Sequence, residues 1–252
     1  MNREDENLRA LSREAAKTLP PGAPHYAAYV GPPEQYDFMG ATQFRLLTTL
    51  GLREHHSVLD FGCGSLRAGR LLIPYLLEGH YHGLEPNQWL IDDAIDRELG
   101  QSIIALKRPA FLHRSDYKAT AFGVLFDYIL AQSIFSHGGR DVISTCLAEF
   151  RSCLGKSGLI LATFVQPHQL GTTEDFTGSG WVYPECVTYK IETVTAMIED
   201  AGLVGRPLPW FHPRQTWFAM AHSPAELPSA SDDVHLSGVV LRAPDLRTPP
   251  PE

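Results

Sequence analysis

Residues 57–71 read "SVLDFGCGSLRAGRL": an apolar run ends in an acid, breaks at two glycines and resumes at helical spacing. The stretch constrains the fold strongly, because a strand must hand over to a helix through an unusually bare turn. Gly62 and Gly64 permit that turn and let a ligand approach the backbone, which a Cβ would obstruct. Asp60 ends the strand and can accept hydrogen bonds from amides or a cationic amine. Taken alone, a Gly-x-Gly turn serves equally well as a tight connection.

The rest of the chain supplies a setting. Strand patterns recur at "SVLDF" (57–61), "HYHGLE" (80–85), "AFLHR" (110–114), "FDYILA" (126–131), "GLILATFV" (158–165), "VGRPLPWF" (204–211) and "QTWFAMAH" (215–222). Amphipathic stretches at 66–78, 88–99, 139–154 and 190–201 lie between them. Alternating strand and helix predicts an α/β domain with a mostly parallel sheet. Only "HPR" separates the last two strands, too short for a parallel crossover, so they should form an antiparallel hairpin. Upstream, residues 2–18 read as a polar helix, and a second helix is expected from about Gly40, where Phe44, Leu47 and Leu50 recur. A second acid, Glu85, ends the second strand, where a carboxylate can take both hydroxyls of a ribose.

Composition narrows the partners. The 252 residues carry a formal charge of −8, the wrong sign for a phosphate backbone, and no basic patch offsets it. Nucleic acid is therefore not expected, and a small molecule is favoured. No apolar stretch is long enough to span a bilayer, and the N-terminus has no apolar signal core. Cys63, Cys146, Cys153 and Cys186 lie far apart without a C-x-x-C pair, which fits reduced thiols in a cytoplasm. The histidines show no metal-ligand spacing, so no metal is expected. Oligomeric state is not legible.

With these motifs in order, the sequence resembles the class I S-adenosylmethionine-dependent methyltransferases, small-molecule type, over about residues 40–222. "VLDFGCG" is similar to the family's first motif, "RSDY" to its adenine-capping segment, "FDYILAQSIFSH" to its fourth motif and "LGKSGLILATF" to its glycine turn and fifth strand. The resemblance implies a Rossmann-like, doubly wound, seven-stranded sheet closed by the antiparallel hairpin. It further implies S-adenosyl-L-methionine as cofactor and methyl transfer to oxygen or nitrogen of a small acceptor. A protein acceptor, or cofactor binding without catalysis, are the alternatives.

Carried onto this chain, the resemblance places Asp60, Gly62, Cys63 and Gly64 on the methionine and ribose side, with Glu85 and Pro86 at the ribose. Asp116 would meet the adenine amine and Tyr117 the ring face, while Ala131, Gln132 and Ser133 run along cofactor and substrate. Leu66 stands where the family has a third glycine. A dinucleotide's pyrophosphate needs that close approach; S-adenosylmethionine has no phosphate, and Gly69 can supply the helix–strand packing instead. Arg67 either reaches the cofactor's carboxylate or lies solvated on its helix.

His137, past the fourth strand, is the candidate base or acceptor-orienting group, or else it caps the helix after Gly138–Gly139. The insertion 166–189 carries His168, Trp181 and Tyr183 on a polar connection and reads as a lid, a substrate wall or a pinned loop. Residues 1–39 should partly cover the cofactor site, with Tyr36 and Phe38 over the methionine half or stapling the following helix. The proline-rich segment 223–252 is expected to be mobile, though "SGVVL" could dock.

Overall fold

The computed structural model describes residues 3–237. Seven strands form one sheet: β1 (Val58–Phe61), β2 (Tyr81–Leu84), β3 (Ala110–Leu112), β4 (Phe126–Ala131), β5 (Leu154–Phe164), β6 (Val204–Leu208) and β7 (Thr216–Ala221). Their order is β3-β2-β1-β4-β5-β7-β6, parallel from β3 to β5 and antiparallel at β7 and β6. The chain runs outward from β1 through β2 to β3, then returns to place β4 on the other side of β1. That reversal makes the β1/β4 boundary the switch point, where strand-end loops diverge and leave a crevice.

The helices are α1 (Arg3–Ala10), α2 (Tyr26–Tyr29), α3 (Tyr36–Thr49), α4 (Gly69–Tyr75), α5 (Gln88–Ala94), α6 (Gln101–Lys107), α7 (Arg140–Cys153), α8 (Ile191–Asp200) and α9 (Asp233–Ser237). Alternate strand residues feed opposite faces of the sheet. Leu59, Phe61, Ile129 and Ala131 join the core under α7 and α8, whereas Val58, Tyr128 and Leu130 join the core that includes Leu46 and Leu47 of α3 and Leu72 and Ile73 of α4. Asp60 shares the parity of Val58, and Tyr81 on β2 donates to it at 2.8 Å. Gly69 brings α4 onto the sheet: a Cβ there would lie 2.5 Å from the Tyr81 hydroxyl.

Helix α3 begins at Tyr36 rather than near Gly40, because a 3-10 turn at Pro33–Gln35 leads directly into it. The expected helix over 2–18 divides into α1 and a 3-10 turn at Ala15–Thr18. This N-terminal segment is bound to the domain by charges. Arg9 pairs with Asp93 at 2.7 Å, Arg13 reaches Asp37 and Glu98, and Arg70 meets the same two acids.

The expected mobile segment begins differently. Arg206 donates to Pro228 O at 2.9 Å and pairs with Asp233 at 2.6 Å, and Leu236 of α9 is buried in the α3 face of the core. Residues 223–237 therefore pack on the sheet edge. The "SGVVL" docking expectation falls, beyond Ser237, outside the described residues.

Candidate functional site

A cleft of about 710 Å³ opens at the switch point, within the size range of small-molecule sites. Its floor is the β1 turn. Gly62 has φ +68° and Gly64 +51°; a Cβ on the first would lie 2.1 Å from Ile134 Cδ1, and on the second 2.6 Å from Val30 Cγ1. The positive φ favours glycine at both positions, and a Cβ at either would have to push Ile134 or Val30 aside. Leu66 also takes the left-handed conformation, φ +55°, with its side chain fully buried.

The two strand-end acids face the same space. Asp60 and Glu85 both line the cleft. Burial pushes the Asp60 carboxyl up to about 6, with the Tyr81 hydrogen bond opposing. Burial also raises Glu85, against hydrogen bonds from Asn87 N (2.8 Å), Asn87 Nδ2 (2.9 Å) and Gly64 N (3.1 Å). A carboxylate offers about four acceptor positions, so Glu85 keeps capacity for a ligand hydroxyl. Cys63 sits between them with its thiol pushed far up by burial, a packing group rather than a nucleophile.

Arg67 lines the cleft as well. Its Nη1 donates to Val30 O at 2.8 Å, and its Nε is buried without a partner. Burial lowers it to about 10, and it makes no ion pair among the described residues. A buried guanidinium without a carboxylate is costly, so this site is electrostatically incomplete.

His137 occupies the opposite wall. Its Nδ1 lies 2.6 Å from Glu185 O; a carbonyl can only accept, so Nδ1 carries the proton and Nε2 keeps its lone pair. Burial lowers its pKa below the ordinary histidine value. The rings of Tyr183 and Trp181 stand 5.0 and 5.7 Å from the imidazole, centroid to centroid. Tyr183 donates to Tyr29 O at 3.0 Å, joining the insertion to the N-terminal segment over the cleft.

Several expected residues lie elsewhere. Asp116 does not line the cleft; an exposed two-pronged pair with Arg114, at 2.9 and 2.5 Å, turns its carboxylate aside. Its neighbours Arg114, Ser115 and Tyr117 do line it. Ala131 is interior strand, buried in register with Ala162. Tyr36 is buried beneath the turn and donates to Ser65 O at 2.6 Å, while Phe38 packs edge-on against Phe211. His168 is exposed on a 3-10 turn away from the cleft. Pro86, Gln132, Ser133, Trp181 and Tyr183 stand on its wall.

The N-terminal cover was expected as a segment without these residues being singled out, and Tyr29, Val30 and Gly31 line the cleft from it; Arg214 and Gln215 of the hairpin were missed. For the hairpin a signal existed, since an arginine in a three-residue turn beside the sheet's ligand edge cannot be far from the cleft.

No protein-family model matches this sequence, and no curated protein matches it. Solved structures do. The chain is similar to the magnesium protoporphyrin IX methyltransferase ChlM from Synechocystis PCC 6803, solved with bound SAH: TM-score 0.56 and 14% identity, over 76% of this chain and 84% of that one. The fold is that of the class I S-adenosylmethionine-dependent methyltransferases. CcbJ, a methyltransferase from Streptomyces caelestis, is similar at TM-score 0.56 and 17% identity, over 77% of this chain and 97% of that one. The glycopeptide N-methyltransferase MtfA, complexed with (S)-adenosyl-L-methionine, is similar at TM-score 0.55 and 13% identity, over 73% and 94%. The hairpin at β6 and β7 completes the methyltransferase fold, as the sequence led us to expect. No helix among the described residues is long and apolar enough to cross a membrane.

Proposed function

We propose that this chain catalyses S-adenosylmethionine-dependent methyl transfer to an oxygen or nitrogen of a small-molecule acceptor. One observation carries the reading: at the switch point, two strand-end acids, a glycine turn and an arginine lacking a carboxylate partner share one cleft. Those groups fit the cofactor in kind. Asp60 would hold its ammonium, Glu85 its ribose hydroxyls, Arg67 its carboxylate, and Tyr117 with Ser115 its adenine end.

When bound, S-adenosylmethionine supplies a methyl group made electrophilic by the adjoining sulfonium. The protein's contribution is then alignment, and holding two reactants in line can lower a barrier by several kcal/mol. His137 takes the proton of a hydroxyl acceptor on Nε2, the nitrogen left free by the bond to Glu185 O. Its lowered pKa keeps it neutral and competent at pH 7. Tyr183 and Trp181 pack beside the imidazole. Gln132 and Ser133 stand on the cleft wall, where they would run along cofactor and acceptor.

Isothermal titration with S-adenosylhomocysteine tests the reading. Binding in the micromolar range supports it, and absence of binding at millimolar ligand overturns it.

A further inference from the structure

One cation of the cleft keeps no anion in contact once the proposed cofactor is accommodated, and it describes the acceptor. The inference therefore rests on the methyltransferase reading. Asp60 answers the ammonium and Arg67 the carboxylate. Arg214 is left over. It lines the cleft and makes no ion pair among the described residues. Its Nη1 donates to the neutral Gln35 Oε1 at 2.8 Å, and Glu34 is the carboxylate whose field acts on it, without contact.

Two neutral side chains, His212 and Gln132, form the wall next to it. His212 is buried, and burial with the charges of Arg214 and Arg67 keeps it neutral. Its Nδ1 accepts from Arg214 N at 3.1 Å, so the ring proton is on Nε2. That nitrogen lies 3.3 Å from Gln132 Nε2, donor against donor, while Gln132 Oε1 is buried without a partner. Amide ends are assigned by their hydrogen bonds. Rotating the amide lets Oε1 accept from His212 and removes the clash of donors, which fixes Gln132 and His212 as a rigid wall beside Arg214.

The cation also lies on the side of the base. Arg214 acts on the Cys186 thiol, and Cys186 follows Glu185, whose carbonyl holds His137.

We propose that the methyl acceptor is a small molecule bearing a carboxylate, which binds at Arg214 while its hydroxyl or amine faces His137. Arg214 is exposed at the mouth of the cleft, so its guanidinium is open to a carboxylate, which it can take through two parallel hydrogen bonds.

The test titrates matched pairs into protein saturated with S-adenosylhomocysteine: hydroxybenzoates, 2-hydroxy acids and aminobenzoates, each against its primary amide. At least one acid should bind tenfold or more tightly than its amide. R214Q should abolish that preference and R214K retain part of it, with S-adenosylhomocysteine affinity unchanged in both. The proposal is overturned if no acid outbinds its amide, or if R214Q keeps the preference. Failure of S-adenosylhomocysteine itself to bind is a separate result, and it removes the methyltransferase reading beneath.

Discussion

Leu66 sets two effects against each other at one residue. Its φ of +55° favours glycine, yet its side chain is fully buried between sheet and helix. The left-handed conformation costs an L-residue roughly 1–2 kcal/mol, whereas removing a buried leucine costs about 2–5 kcal/mol. Burial wins. Leu66→Gly should therefore destabilise the protein by about 1–3 kcal/mol in chemical denaturation, although it restores the family's residue; a stabilised variant would show that strain dominates. His137 admits a functional test at the same scale. H137A should lower kcat by about a hundredfold or more and leave S-adenosylhomocysteine affinity nearly unchanged. Because burial lowers the His137 pKa, the acidic limb of kcat/KM in the native enzyme should fall below the ordinary histidine value. Equal losses of affinity and turnover in H137A would assign the residue a structural role.

Among the elements, α9 makes the clearest departure from what composition implies. Proline and serine around 223–231 suggest a solvated segment, but Leu236 is buried and Asp233 is paired with Arg206. Leu236→Ala should lower stability by about 2 kcal/mol or more if α9 is docked; an unchanged denaturation midpoint would mean that it is not. The strands were readable because short apolar runs bounded by turn residues are local signals: β4 matches its expected span, and β1 and β2 differ by single residues at their ends. Helix α6 went unread, since seven residues with none buried carry almost no amphipathic signal. In the site, Asp60, Glu85 and the glycine turn were legible because strand ends and turn chemistry determine them. Asp116 was misplaced because its direction depends on a pair with Arg114 two residues away, which no motif encodes. Tyr29 and Val30 are held at the cleft by hydrogen bonds from Tyr183 and Arg67 and by long-range ion pairs of Arg9 and Arg13 with Asp93, Asp37 and Glu98. Such pairs are individually weak, about 0–1 kcal/mol each, and leave no periodic trace.

Across the whole molecule, the binding cleft and the stability of the fold pull in opposite directions, and pH separates them. Asp60 is raised from 3.8 to about 6 by burial, so the folded state holds its proton more tightly than the unfolded chain. Its contribution is fully present below pH 3.8, is lost as pH rises toward about 6, and stays lost above. Over that window the loss is about 3 kcal/mol, since each tenfold change in proton affinity is worth about 1.4 kcal/mol. Asp37 and Asp233, held low by Arg13 and Arg206, contribute with the opposite slope at more acidic pH, so the wild-type curve mixes both. D60N isolates the Asp60 part: its amide oxygen can still accept from Tyr81, and it has no charge to bury. At pH 7.5 D60N should unfold at a higher denaturant midpoint than the native protein, with the difference vanishing near pH 4. S-adenosylhomocysteine affinity should fall tenfold or more, because the ammonium loses its charged partner. A variant less stable than wild type at pH 7.5 would mean that the ionised carboxylate is not a burden on the unliganded fold. One that kept its affinity would remove Asp60 from the ammonium site.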